Sequence, residues 1–408
     1  MLQPQANASQ PRRRGAPPQP DRGRPLRRSS HHSPSPAPQP LACPCVACEL
    51  HGARAPRLYH GERTDGTGSS LLSMLNAAAY AASRGWNYGG ILRNTGPHSS
   101  ARELLGPVHA GKPVTGAQRM TGHGQPFDPA IEFFLGSPRL IHERIDTPAN
   151  RTLVVRLERR FSVAAGGSAP LIREMTSKLK ALPPPPPDAA VVLPGYFMDL
   201  SHFAEPGRAE GVYDAFFSPP FRAALRASAA CGLSARPVWH FDASRPSVAM
   251  HVRRGDVTAA RHPGRFTSDE FYYQMAAAIR IHLPQADIHV FSSTKDQFRR
   301  GERNHSLENA ANRVMLHSSS SFDGYRQRGM QVHLDGDPLE ASAHLMTANV
   351  VVLAKSAFSW APAAFNPHCV ICQPIGVNVL RHWIVANDML NVSRALPSCM
   401  QSWRNQSS

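Results

Sequence analysis

The second half of the chain alternates short apolar runs with helical patterns, and this alternation constrains the fold more than any other feature. The runs that predict strands cover residues 248–252, 288–292, 331–334, 350–353 and 369–373, and those that predict helices cover 268–282, 340–348 and 357–365. Strands separated by helices favour a parallel sheet, because each helix carries the chain back to the start of the next strand. We therefore predict a doubly wound, Rossmann-like α/β domain over residues 241–398.

The first half, residues 56–240, predicts a second α/β domain with less regular elements. Its predicted pieces are a strand at 58–59, a glycine loop at 64–70, a helix at 71–83, a strand at 153–161 and a helix at 213–231. Residues 93–150 lack clear periodicity, so we expect loops with short elements there. The five prolines at 183–187 predict an extended surface segment, since consecutive prolines favour the polyproline conformation. The fold class is thus α/β with two domains.

The two ends of the chain are predicted to be tails. Residues 1–41 carry ten prolines, and residues 1–30 carry seven arginines against the single acid Asp21. Such a segment cannot bury a core, so residues 1–55 are predicted to be a disordered, basic, proline-rich tail, and 399–408 a short second one. The formal net charge of +16 exceeds what the first tail contributes, so the body is basic as well. A basic body suits an anionic ligand. Aromatic residues do not alternate with basic ones in the body, so we do not expect nucleic acid as a partner.

The seven cysteines are compatible with more than one chemistry. Cys45-x-x-Cys48 and Cys369-x-x-Cys372 have the spacing of paired zinc ligands. However, Cys369 and Cys372 lie in an apolar run, where thiols act as small buried side chains, and no further ligand pairs stand nearby. We therefore expect no metal.

Two features bear on the compartment. No run of 18 apolar residues is present, so a membrane association would require an anchor absent from this sequence. Asn-x-Ser/Thr tripeptides occur at Asn7, Asn150, Asn304, Asn391 and Asn405. These tripeptides would suit a protein of the secretory pathway.

Polar residues that suit a diphosphate follow two of the predicted strands. The segment HVRRGD, residues 251–256, follows the strand at 248–252, and KSAFSW, residues 355–360, follows the strand at 350–353. Ligands of parallel sheets bind at the carboxyl ends of strands. Arg253 and Arg254 would supply guanidinium groups, and Ser356, Ser359 and the amides that begin a helix at Ala357 would supply neutral donors.

These segments resemble a known family. HVRRGD, followed about a hundred residues later by a strand and SAFSW, is similar to the fucosyltransferases that share an HxRRxD motif, most closely their α-1,2 branch. The glycine loop Gly66-Thr67-Gly68-Ser69-Ser70 and the alanine-rich residues that follow also resemble that branch. The resemblance covers residues 60–90 and 245–375.

The resemblance implies an inverting, metal-independent transferase of GT-B-like architecture, which moves fucose from GDP-fucose to a glycan hydroxyl and uses no cofactor. It places Arg253 on the β-phosphate of the donor, makes Arg254 a structural partner of carboxylates or backbone, and gives His251 a supporting role. Asp256 would orient the arginines or act as the base; Arg253 and Asp256 are thus the candidate catalytic residues. The candidate donor-binding residues are His251, Arg253, Arg254, Ser356, Ala357, Phe358, Ser359, Gly66, Gly68 and Ser69.

The chain also departs from the family pattern. The α-1,6 branch has a glutamate shortly after its motif, whereas residues 257–265 contain no acid here. The family's acid before SxFS falls near Ala341, with Asp335, Asp337 and Glu340 close by, and the third strand is followed by Thr294-Lys295-Asp296 in place of an aspartate pair. The identity of the base and the recognition of guanine therefore stay open.

Two alternatives remain beside a fucosyltransferase: a transferase of the same fold that uses another nucleotide sugar, and a non-catalytic relative that binds nucleotides or sugars. For the transferase, the resemblance implies the Golgi lumen, reached through an anchor upstream of the sequence. The expected partners are a GDP-sugar donor and a glycan acceptor.

Overall fold

We describe the fold from a computed structural model. The structure describes residues 45–61, 67–93, 127–137, 140–142, 144–157, 169–194, 200–203, 212–235, 240–255, 257–260, 262–294, 318–373 and 379–407. All of them belong to one compact unit, residues 42–408. No helix among them is both long enough and apolar enough to span a bilayer.

The first half of this unit is built on a parallel sheet with the strand order β3-β2-β1-β5-β4. Its strands are β1 (Arg57–Gly61), β2 (Asn87–Leu92), β3 (Ile141–His142), β4 (Thr152–Val154) and β5 (Ala190–Leu193). Every residue of β2 and β5 is buried. Gly90 in β2 has φ +115°, and a Cβ atom there would lie 2.2 Å from the carbonyl oxygen of Leu140, just before β3. Only glycine lets the two strands approach this closely.

Five described helices belong to the first half. They are α1 (Thr67–Ser83), α2 (Phe127–Leu135), α3 (Ala169–Ala181), α4 (Val212–Phe216) and α5 (Pro219–Ala235). The predicted helix over 71–83 is confirmed by α1, in which all residues from 70 to 81 are buried. The predicted helix over 213–231 is two helices, because Pro219 starts a new one after a break at Phe217 and Ser218.

The second half is built on a parallel sheet with the strand order β11-β10-β9-β6-β7-β8. Its strands are β6 (Ser247–Val252), β7 (Asp287–Ser292), β8 (Gln331–Leu334), β9 (Val350–Val352), β10 (Cys369–Cys372) and β11 (Ile384–Val385). Its helices are α6 (Asp269–His282), α7 (Asp323–Gln327), α8 (Pro338–Thr347), α9 (Ala357–Ala363) and α10 (Met389–Ser407). A parallel sheet in each half confirms the predicted α/β class, with the two-sheet arrangement expected of a GT-B-like architecture.

Helices cover both faces of the second sheet, because alternate strand residues point to opposite sides. Val248, Met250 and Val252 of β6 pack with residues of α6 and α10. Ala249, between them, belongs to the core that also contains residues of α1, α8 and α9. This second core joins the two halves of the chain.

Side chains define where the helices of the second half begin. The Ser268 hydroxyl accepts a hydrogen bond from the Phe271 amide and caps α6. The Asp337 carboxylate accepts one from the Leu339 amide (2.9 Å) and caps α8, whose first residue is Pro338. Side-chain caps of this kind satisfy helix amides that have no partner within the helix.

Parts of both predicted tails belong to the folded unit. Residues 45–55 were predicted to be disordered, but a short 3-10 turn, Val46–Cys48, packs its Ala47 and Cys48 into the core. At the other end, residues 399–407 continue α10, and Met400 is buried against the second sheet. Apolar residues at both ends therefore bury surface that charge and proline content alone did not reveal.

The cysteine pairs differ from the zinc alternative. Cys45 and Cys48 form a disulfide, and Cys369 pairs with Cys399 rather than sharing an ion with Cys372. Burial raises the pKa of the Cys372 thiol to about 12, so this group stays protonated. Among the described residues, no group of three or more ligating side chains is arranged to hold a metal.

Candidate functional site

The candidate site lies where two neighbouring strands end. In the sheet, β6 and β9 pair in parallel, with Met250 opposite Val352. The chain leaves β6 through Arg253 and leaves β9 toward Ser356. Parallel pairing therefore brings the two predicted loops to the same edge of the sheet, although their key residues are 103 positions apart in sequence.

Arg253 and Ser356 are in direct contact at this edge. The guanidinium donates from Nη1 to the Ser356 hydroxyl oxygen over 2.7 Å. Ser356 is buried and caps α9 by accepting a hydrogen bond from the Phe358 amide (3.3 Å). Arg253 is half-buried. The partner in this bond is neutral, so this bond by itself does not neutralise the guanidinium.

Arg254 has a different environment from its neighbour. It is 5% exposed, and it pairs with the Asp269 carboxylate and donates to the carbonyl of Arg253 (2.9 Å). Its guanidinium also lies over the ring of Phe266, 4.7 Å from the centroid. The Tyr325 hydroxyl donates to the same Asp269 oxygen (2.6 Å). Arg254 thus contacts a carboxylate, the backbone and an aromatic ring, and its role toward a donor stays a prediction.

The other described residues of the two motifs support the edge. The ring of His251, which is buried, lies 5.1 Å from that of Phe358. Ala357 and Phe358 are half-buried at the start of α9. The Ser359 hydroxyl donates back to the carbonyls of Ala354 and Ser356 (3.3 and 3.2 Å), so it fixes the turn instead of facing a ligand.

Several predicted residues cannot be placed against this edge. Asp256 and Gly66 lie outside the described residues. Gly68 and Ser69 belong to the first turn of α1, and the positions of their side chains are not among those that the structure describes. Their roles stay predictions.

An aspartate joins the ends of β7 and β8 near the predicted guanine loop. Asp335 has φ 57°, in the left-handed region. Its carboxylate accepts hydrogen bonds from the Ser293 hydroxyl (2.9 Å) and from the amide and hydroxyl of Thr294 (3.0 and 2.6 Å). Asp335, at the end of β8, thus holds the residues that follow β7.

Two further described acids near this edge have structural partners. Asp337 caps α8, and Glu340 lies 2.6 Å from the ring nitrogen Nε2 of His240. Neither contact identifies a catalytic base.

Sequence reasoning missed four histidines that lie together between the second sheet and α8. This histidine cluster consists of His240, His289, His333 and His344. His289 Nδ1 lies 2.9 Å from His333 Nε2, and the His240 and His333 rings stack with centroids 4.2 Å apart. Burial, and then the neighbouring histidines, lower the pKa of His333 to about 4, and burial lowers that of His344 to about 4. His333 and His344 are therefore neutral at neutral pH.

The residues that sequence reasoning missed differ in how clearly the sequence indicates them. Asp269, the first acid after the HVRRGD segment, lies beside Arg254 and only four residues beyond the acid-free stretch 257–265. A buried arginine requires such a partner. The histidine cluster, by contrast, draws on four separate segments, and no spacing in the sequence links them.

Comparisons with known proteins give only distant likenesses. No family model matches the chain, and no curated protein sequence matches it. Among solved structures, a mutant of Arabidopsis thaliana FUT1 in complex with GDP matches with a TM-score of 0.36 and 11% identity, over 80% of this chain and 72% of that one. POFUT1 in complex with GDP matches with a TM-score of 0.31 and 12% identity, over 77% and 95% of the two chains. POFUT1 in complex with GDP-fucose matches with a TM-score of 0.28 and 11% identity, over 78% and 95%. Likenesses this distant carry no weight for function, which has to be argued from the chain's own residues.

Proposed function

We propose that this chain is a glycosyltransferase that moves fucose from GDP-fucose to a glycan hydroxyl, with inversion at the anomeric carbon and without a metal ion. The observation that carries the proposal is the contact between Arg253 and Ser356, 2.7 Å apart at the carboxyl ends of β6 and β9. It joins the two segments whose residue patterns resemble those of the HxRRxD fucosyltransferases.

The contact supports a diphosphate site for a physical reason. A leaving diphosphate gains negative charge as the bond to the sugar breaks, and fixed cations and hydroxyl donors stabilise that charge. Arg253 supplies the cation, and Ser356 holds its guanidinium beside the half-buried start of α9. Arg254, with Asp269 as its partner, holds the loop that presents Arg253.

The proposed reaction is a single displacement. The acceptor hydroxyl oxygen attacks the anomeric carbon, the bond from that carbon to the β-phosphate oxygen breaks, and GDP leaves with the bonding electrons. The hydroxyl proton passes to a carboxylate, directly or through water. We assign this role to Asp256, which follows the arginine pair in sequence.

Ligand-induced stabilisation distinguishes the donor. Melting temperatures would be measured with GDP-fucose, GDP-mannose and UDP-sugars, because a ligand that binds only the folded state stabilises it in proportion to RT ln(1 + [L]/Kd). We expect GDP-fucose to raise the melting temperature and UDP-sugars to leave it unchanged. A response to UDP-sugars alone would instead favour a transferase with another donor.

Turnover separates an enzyme from a non-catalytic relative. We expect radiolabelled fucose to be transferred or released in the presence of a chelator, and Arg253→Ala to lower kcat/KM by at least about thirtyfold, the equivalent of about 2 kcal/mol. Arg394→Ala, at an exposed arginine on α10, is the matched control and should behave as the wild type. GDP-fucose binding without turnover would identify a binding protein, and equal activity of the two variants would contradict the assigned role of Arg253.

A further inference from the structure

A second basic site lies at the β11 edge of the second sheet, away from the ends of β6 and β9. It is a cavity of about 690 Å³ between α5 and α10. The lining residues come from α5, β11, α10 and the segments beside them, and they include Arg222, Arg226, His368, His382 and Trp383. None of them belongs to the candidate donor site. We call it the β11 cavity.

The charges around the β11 cavity are unbalanced. Its lining contains two arginines and two histidines but no aspartate or glutamate. Arg222 and Arg226 are one helical turn apart on α5, and the charge of Arg222, after burial, lowers the pKa of Arg226. Asp214 attracts Arg222 electrostatically, but its carboxylate accepts a hydrogen bond from the Arg381 amide, and it does not line the cavity. Two like charges are thus held together without a carboxylate between them.

Burial and the nearby arginines lower the pKa values of the two histidines that line the cavity. Arg222 Nη1 lies 2.8 Å from His382 Nδ1, a contact that requires a neutral ring to accept the hydrogen bond. Burial, and then the charges of Arg222 and Arg226, lower the pKa of His382 to about 4. The pKa of His368 is lowered by burial and by Arg226. Both histidines are therefore harder to protonate than a free imidazole, and neither supplies a negative charge to balance the arginines.

Two buried donors at the cavity have no acceptor among the described residues. They are Nε of Arg222 and the indole Nε1 of Trp383. A buried N–H without a hydrogen bond costs roughly 1–3 kcal/mol, so folded proteins leave few of them. Arg226 makes no hydrogen bond or ion pair within the described part of the chain. An oxyanion in the cavity would accept from such groups and neutralise the arginines at the same time.

From this imbalance we infer that the β11 cavity binds a tetrahedral oxyanion, the sulfate or phosphate ester of a sugar. Tetrahedral oxyanions offer several acceptor oxygens to guanidinium forks. The cavity volume lies within the range of small-molecule sites, roughly 300–1,000 Å³, so it has space for the sugar as well as the charged group. The site is independent of the proposed donor site.

Calorimetric titration of the full chain tests this inference. The probes are glucose 6-sulfate, glucose 6-phosphate, inorganic sulfate, inorganic phosphate and uncharged glucose. We expect the two esters to bind and glucose not to bind. Arg226→Gln and Arg222→Gln should each weaken ester binding by at least about tenfold, since each removes a charged hydrogen-bond donor. Arg173→Gln, at an exposed arginine on α3, is the matched control and should leave binding unchanged.

Two further measurements separate this site from others. Binding of the esters should persist in Arg253→Ala, whose change lies in the donor site, and saturation with glucose 6-sulfate should raise the pKa of His382 in an NMR titration. Inorganic ions that bind as tightly as the esters would show that the oxyanion alone is recognised, which keeps the site but removes the sugar from its ligand. The inference is overturned if no probe binds, if Arg226→Gln and Arg222→Gln, both shown to be folded by circular dichroism, bind as the wild type does, or if Arg253→Ala alone abolishes binding.

Discussion

The loop after β6 and the β11 cavity each contain two arginines, and the contacts of these side chains differ in kind. In the loop, Arg254 pairs with a carboxylate and Arg253 with a hydroxyl. In the cavity, Arg222 contacts a neutral histidine, and Arg226 has no acidic partner in the lining. The carboxylate of Asp269 neutralises Arg254, whereas the hydroxyl of Ser356 and the ring of His382 are neutral acceptors. The two pairs therefore differ in the charge of the partners that the structure shows.

The largest expected effect comes from removing the carboxylate in the loop. Asp269→Asn leaves Arg254, whose side chain is 3% exposed, without a counter-charge, and we expect the free energy of unfolding to fall by about 3 kcal/mol. The control is Asp323→Asn, which breaks the exposed pair of Arg326 and Asp323 and should cost at most about 1 kcal/mol. Chemical denaturation measures both. Equal losses would mean that Arg254 is no more structural than a surface arginine.

An intermediate effect is expected at the hydroxyl partner of Arg253. Ser356→Ala removes the cap of α9 and should lower the free energy of unfolding by about 1 kcal/mol. Ser268→Ala removes the corresponding cap of α6 and should cost about the same. Only the first variant should also weaken GDP binding, because only Ser356 holds a guanidinium. If both variants bind GDP as the wild type does, the Ser356 hydroxyl serves as a cap alone.

The smallest effect should have the opposite sign. Arg226→Gln removes a like charge one turn from Arg222, so without ligand we expect the free energy of unfolding to rise by about 0.3 kcal/mol at low ionic strength. Salt screens this repulsion, so the gain should shrink as salt is added. A loss of stability on this substitution would show that Arg226 has a structural role, as Arg254 does.

The elements of the second half could be predicted because each has a clear local signal. The strands β6, β7, β9 and β10 are short, mostly apolar runs, and α6 and α8 follow capping residues, Ser268 and Asp337. The elements of the first half are harder to predict from the sequence. Strand β2 contains two adjacent glycines, which are typical of a loop, and it is a strand here because β3 passes against Gly90. Helix α10 contains Pro397, and because a proline within a helical pattern usually indicates the end of a helix, the sequence does not reveal the full length of α10.

The candidate site was only partly visible in the sequence. The motifs bring Arg253 and Ser356 to one edge because parallel strands align their carboxyl ends, and that rule holds without knowledge of side chains. The partner of Arg254 and the β11 cavity depend on how distant helices pack. Arg222 and His382 are 160 positions apart, and no rule of spacing connects them. Tertiary packing therefore determines these two features, and local sequence patterns do not predict it.

The Cys369–Cys399 disulfide closes one wall of the β11 cavity into a covalent loop. The two cysteines are 30 positions apart, and the backbone between them includes β11 and the first turns of α10. A protease that cleaves the backbone at one point within this loop would not release either of the two new chain ends, because the disulfide still joins the fragments. The terminal segment would come away only after a thiol reductant had acted as well, so the loss of this wall requires two separate chemical events.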